Sequence, residues 1–199
     1  MKALLSTARL NALSDSVLLV ALTILAYNLI PPILINNELD PLEVESFYDN
    51  LYGMIASFFV VFVFWVLYTK ILDNLKEPND TVVFISLVFF IIVLLIPSFT
   101  LAQLQYENFN AVIYLSILLI VNDMILIVLW KYVNTKLLVA GSNQNRERTL
   151  LPMLLVIPSI YSISIVLTFF SINIAIIFPI LMIPLLVIVR GIFKKNKVP

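Results

Sequence analysis

Stretches of roughly 20 mostly apolar residues recur six times along this chain, at about 10–30, 51–72, 81–101, 110–132, 150–170 and 174–193. That length is what an α-helix needs to cross the ~30 Å hydrocarbon core of a bilayer. Hydrocarbon offers no hydrogen-bond partner to a backbone, so such segments satisfy themselves as helices. The sequence therefore predicts an all-α, polytopic membrane protein with six transmembrane helices, forming one domain over residues 1–199. Composition supports the class, with 62% hydrophobic and 12% charged residues, far from the balance of a water-soluble domain. The last two spans are the hardest to divide. From Leu150 to Val189 the chain is almost continuously apolar, too long for one crossing, and its polar interruption at Ser171-Ile172-Asn173 predicts a tight turn. Pro152, Pro158, Pro179 and Pro184 in this region are expected to kink or start helices. The first span is not read as a signal peptide, because Asp15 interrupts it and no small-residue cleavage site stands between Tyr27 and Pro31-Pro32. The longest loops, 31–50 and 133–149, are too short to fold alone.

Charge placement gives the orientation. Lys2 and Arg9 open the first span, Lys70 and Lys76 follow the second, Lys131, Lys136, Arg146 and Arg148 separate the fourth from the fifth, and Arg190, Lys194, Lys195 and Lys197 follow the sixth. Every basic residue thus falls on one side. By the positive-inside rule that side is the cytoplasm, which puts a multi-pass protein in the cell membrane with both termini inside. The opposite loops carry Glu38, Asp40, Glu43, Glu45, Asp49 and Glu107 and no basic residue, an acidic face that would enrich cations locally. No nucleic-acid partner is expected; membrane lipid is.

The chain has no cysteine and no histidine, which excludes disulfides, thiolate nucleophiles, His-based triads and nearly all zinc or haem ligation. No cofactor is expected. The polarity that remains inside the spans is concentrated at Asp15 and at Asn122-Asp123. An aspartate at a helix centre costs about 2.5 to 3.5 kcal/mol on insertion scales, so it should face protein or water. Asp15 lies six residues beyond Arg9, and Asp123 eight before Lys131. At 1.5 Å per residue they sit about 9 and 12 Å from the cytoplasmic side and are candidates for one polar cluster. Two intramembrane aspartates are also what an aspartyl protease needs. Asp123 stands in "IVNDM", however, without the glycine-flanked setting of such enzymes, and the protein is not read as an enzyme. A proton-coupled secondary transporter using Asp15 and Asp123 is the alternative reading, although no inverted internal repeat supports it.

On a helix at 100° per residue, Ser16, Val20, Ile24 and Tyr27 of the first span form one stripe with Thr23 at its edge. Asp15, Leu19, Leu22 and Ala26 form another, rotated from it. Such a helix can lock onto neighbours with its polar side and present the apolar stripe to an axis.

Arg9, Ala12, Leu13, Ser14 and Asp15, in the spacing R-x-x-A-L-S-D at the start of span one, resemble the R-x-x-x-F-S-D signature of the transmembrane protein 175 family of potassium channels. "SFFVVFVFWVLY" from Ser57 to Tyr68 resembles that family's Ser-Phe and Trp pattern in span two, and "IPSFT" from Ile96 to Thr100 the end of its third span. Two residues depart from the pattern. Leu13 replaces the phenylalanine, and Tyr68 stands where many members have a histidine three residues after the tryptophan. The resemblance implies a homotetramer of six-span subunits with the first helix lining a pore for potassium. The single six-span repeat is similar to that of prokaryotic members. It also implies no carbonyl filter, which fits a chain whose only glycines are Gly53, Gly141 and Gly191. Carried over from Asp15 by position, it implies pore constrictions at Val20, Ile24 and Tyr27, which would act as a hydrophobic gate, and a selectivity role for Thr23. Arg9, Ser14 and Asp15 would join a structural polar network with Trp65, Tyr68 or Asn122-Asp123. Val20 is smaller than the isoleucine or leucine usual at its position, and ideal geometry puts Arg9 near the pore stripe.

Overall fold

The structure, a computed structural model, describes residues 5–27, 29–32, 34–35, 38–73, 75, 77–106, 109–135 and 144–177. Its elements are α1 (Thr7–Tyr27), a hairpin of β1 (Leu34–Ile35) and β2 (Glu38–Leu39), then α2 (Pro41–Leu72), α3 (Asp80–Tyr106), α4 (Phe109–Thr135), α5 (Gln144–Thr168) and α6 (Ile172–Ile177). Five of these helices, α1 to α5, are long and apolar enough to cross a membrane. The protein is thus a helical multi-pass membrane protein. Of the expected sixth span only the first residues are described; Pro179, Pro184 and the basic residues from Arg190 onward lie outside the described residues, as do Lys2, Lys76, Glu107 and Lys136.

The main departure from the sequence reading is between residues 31 and 50. In place of a continuous loop, the chain makes the antiparallel pairs Leu34 with Leu39 and Ile35 with Glu38, then enters α2 ten residues early. The reason is local. Asp40 caps the helix by accepting from the Leu42 N–H at 3.0 Å, and Pro41 occupies the first helical position, where its missing N–H costs nothing. With 32 residues, α2 is about 48 Å long at 1.5 Å per residue and outreaches the ~30 Å hydrocarbon core. Its first turns, carrying Glu43, Glu45 and Asp49, therefore project beyond it. The turn before α6 also falls slightly early. Phe170 and Ser171 both donate to the Leu167 carbonyl, at 2.9 and 2.8 Å, so α5 closes at Thr168 and Ile172 and Asn173 are already helical.

Consecutive helices run in alternating directions, and side chains tie their ends. At one end the Asn79 amide donates to the Tyr132 hydroxyl at 2.7 Å, joining the start of α3 to the last turns of α4, while Thr7 of α1 reaches the Leu75 carbonyl at 3.4 Å. Arg9, Lys70 and Lys131 all belong to helix segments at this end. At the other end the Phe109 and Phe169 rings meet edge to face at 5.1 Å, and Ser164 donates to the Ala175 carbonyl at 2.8 Å, holding α6 against α5.

α4 is the central helix, packed chiefly between α3 and α5. Its buried positions, Val112, Leu115, Ser116, Leu119, Asn122, Asp123, Leu126, Leu129 and Val133, recur every three or four residues and make one broad face. α2 and α3 are joined by aromatic packing, with Tyr68 stacked on Phe89 at 5.1 Å and meeting Phe90 edge-on at the same distance. Pro97, Pro152 and Pro158 sit inside α3 and α5 without ending them. Asn79 has two tasks, since its carbonyl oxygen also accepts from the Val82 N–H at 3.0 Å and caps α3. Asn79→Ala should therefore cost about 1 to 2 kcal/mol of stability, and Tyr132→Phe, which spares the cap, less than half of that. Paired thermal unfolding curves check the order.

Candidate functional site

α1 packs against α2 and α3 through a narrow line of buried residues, Leu10, Ser14, Ala21 and Leu25, all on one side of the helix. The opposite side is open from end to end. Arg9, Ala12, Asp15, Ser16, Leu19, Val20, Thr23, Ala26 and Tyr27 are exposed, and Leu19, Val20 and Tyr27 are so by 64, 49 and 85%. The two stripes separated on the sequence thus merge into one face about half the helix wide. Ile24 lies at its edge, half-buried, while Arg9 stands on it. Leu19, which the sequence reading assigned to the other stripe, is more open than Val20 beside it. The signal was present in its four-residue spacing to Thr23 and to Asp15, but choosing between stripes required knowing where α2 lies.

The polar groups of this face have specific partners. Trp65 of α2 donates its indole N–H to Asp15 Oδ1 at 2.9 Å, across 50 residues of sequence. The indole is held by stacking on Phe62 at 5.7 Å, which stacks in turn on Phe58 at 6.0 Å, a ladder one helical turn apart along α2. Ser16 and Thr23 donate their hydroxyl hydrogens to the carbonyls of Ala12 and Leu19, each at 2.8 Å. With the hydrogens turned back onto the helix, both side chains present oxygen lone pairs outward. A face built in this way offers acceptors, which suit cations.

Ser14 points the other way. It is buried, donates to the Asn11 carbonyl at 2.8 Å, and lines a small cavity with Leu18, Trp65, Tyr68, Phe89 and Phe90. Tyr68, at the position where a histidine was expected by resemblance, is fully buried here. Ser14, Asp15, Trp65 and Tyr68 thus share one neighbourhood at the junction of α1, α2 and α3. Asn122 and Asp123 do not show a hydrogen bond to any of these residues. They are fully buried on α4, whose main neighbours are α3 and α5, so the two intramembrane aspartates are placed on different helix surfaces.

The sequence of residues 9–97 matches the family described as "Endosomal/lysosomal potassium channel TMEM175". Among curated proteins none matches the chain. Among solved structures the fold resembles that of the crystal structure of a lysosomal potassium-selective channel TMEM175 homolog from Chamaesiphon minutus. The TM-score is 0.76 at 16% identity, over 94% of this chain and 98% of that one. Residues 9–97 are thus similar in sequence to that family, and the fold resembles the channel's over nearly the whole chain.

The Trp65 to Asp15 bond can be removed without removing the ring stack. Trp65→Phe is expected to lower the thermal stability of the purified protein by roughly the value of one hydrogen bond to a carboxylate, about 1.5 to 3 kcal/mol. An unchanged melting curve would show that the bond does not position α1.

Proposed function

We propose that this protein is a potassium-permeable leak channel, a homotetramer whose pore is lined by α1 from each subunit and closed by an apolar constriction in place of a carbonyl filter. The observation that carries this reading is the open face of α1. Arg9, Asp15, Ser16 and Thr23 stand exposed on a membrane-crossing helix, and at the bilayer centre a charged residue costs about 2.5 to 3.5 kcal/mol. A face of that kind is stable against other subunits or water, not against lipid. Four copies arranged about an axis provide both, covering the edges of the face and enclosing its middle.

In this arrangement Val20, flanked by Leu19, forms the narrowest apolar ring and gates by excluding water. Ile24 contributes from the edge of the face and Tyr27 from its outer end. The lone pairs of Thr23 replace part of a cation's hydration just beyond the valine ring, which is where a preference for potassium would arise. Asp15, held by Trp65, positions the helix and leaves the permeating ion to the residues above it. With the basic helix ends placed in the cytoplasm by the positive-inside rule, the projecting start of α2 with Glu43, Glu45 and Asp49 faces outward. Its charge raises the local cation concentration.

Purified protein in planar bilayers with potassium on one side and sodium on the other tests the reading directly, and a membrane without current would overturn it. Val20→Asn should wet the constriction and raise single-channel current. An unaltered current would mean that the constriction lies elsewhere.

A further inference from the structure

The Asn122-Asp123 pair has no role in the pore described above, yet it is the most polar part of the subunit interior. Both side chains are fully buried. Both carboxylate oxygens of Asp123, and both the oxygen and the nitrogen of the Asn122 amide, are enclosed with no hydrogen-bond partner among the described residues. The position is deep. From the Asn79 to Tyr132 bond, ten residues along each antiparallel helix, about 15 Å, set Phe89 level with Asn122. At that level Tyr68 stacks on Phe89 and Phe90 meets Tyr68 edge-on, so the α3 side is aromatic. On the α5 side Leu154, Ile157 and Ile160 are buried. Pro158 has no N–H to give the Leu154 carbonyl, so an acceptor without its helical donor lies close to this level.

No charged side chain among the described residues makes a hydrogen bond to that carboxylate. Among the described residues, α3 has Asp80 at its exposed start and no charged residue further along, α6 has none, and on α2 Lys70, two residues beyond Tyr68, is half-buried and makes no hydrogen bond to Asp123. The buried titratable side chains among the described residues of the helices packed on α4 are the hydroxyl-bearing Tyr68 of α2 and Tyr161 of α5. The nearest cation along α4, Lys131, is eight residues away at the helix end, about 12 Å. An isolated carboxylate in such surroundings is among the least favourable groups a membrane protein can bury. A group that neutralises it has to fit an enclosed position between packed side chains. A proton is the cation that needs no volume.

We propose that Asp123, beside Asn122, is an intramembrane proton-binding site on the central helix, separate from the α1 face, whose occupancy keeps α3, α4 and α5 packed together. Carrying the proton, Asp123 has one O–H to donate and one oxygen to accept, as an amide does, and the helix trio closes over a neutral group. Without the proton the same packing encloses a bare charge. The inference rests on the fold and does not require the channel reading.

Infrared difference spectroscopy on the full-length protein in lipid vesicles at neutral pH tests it. The wild type should show the carbonyl band of a protonated, buried carboxylic acid. Asp123→Asn, a near-isostere of the neutral acid, should lose that band, and Asp15→Asn should keep it. In parallel, the melting temperature of the wild type should fall from mildly acidic to mildly alkaline pH, and that of Asp123→Asn should fall by less than half as much. Absence of the band in the wild type, which needs no variant to fold, would overturn the proposal. Its persistence in Asp123→Asn, or the same pH slope in both proteins, would do so too. Potassium flux measured on the same vesicles reports separately on the proposed function, so the two can fail independently.

Discussion

Inside a bilayer every polar group needs a partner supplied by the protein, by another subunit or by water held within the assembly, and this requirement organises the whole molecule. The backbone meets it by forming helices of span length. The hydroxyls of Ser16, Thr23, Ser86, Thr100, Ser159 and Thr168 meet it by donating to the carbonyl one turn earlier on their own helix. The residues that cannot satisfy themselves locally are the ones that distinguish this subunit from an apolar bundle. Asp15 takes its partner from α2, Asn79 takes its partner from α4, and Arg9 stands on the open face of α1.

Two kinds of contact divide the work. Apolar packing along α4, and the aromatic cluster of Phe64, Tyr68, Phe89 and Phe90 between α2 and α3, hold the subunit together. In lipid such packing gains from close fit and not from exclusion of water. Fit alone leaves rotation of a helix weakly specified, because one apolar face resembles another. The Trp65 to Asp15 bond removes that freedom for α1. A helix with only Leu10, Ser14, Ala21 and Leu25 buried against its neighbours has a small packed surface, and one directional bond between its edge and α2 decides which residues are left outward. This is why Ser14 and Asp15, adjacent in sequence, have opposite fates, one in the core and one on the open face. The Phe58, Phe62 and Trp65 ladder then fixes the donor that fixes the helix.

Much of the molecule was legible from residues alone, and the reason differs from case to case. Spans three and four were placed to within a few residues at their starts because hydrocarbon thickness sets helix length with little dependence on context. The early start of α2 was not, since Asp40-Pro41 reads equally well as a loop or as a cap until the following turns are known to be helical, and those turns are polar. The turn before α6 was located through Ser171 but fell slightly early, because the closing bonds come from Phe170 and Ser171 themselves.

The sequence by itself determined that the chain is a helical membrane protein with its basic residues gathered beside particular spans, and it carries the motif by which its first half resembles a known family. These are properties of local composition and spacing, which the solvent acts on directly. Which side of α1 stays open was decided by tertiary structure. Helical periodicity yields two plausible stripes, one through Val20 and one through Leu19, and only the position of α2 and α3 shows that both belong to a single exposed face while Ile24 slips to its edge. The separation of Asp15 from Asp123 was settled in the same way. Their depths along their helices are similar and suggested one cluster, but depth is a one-dimensional quantity, and which helices lie side by side is not.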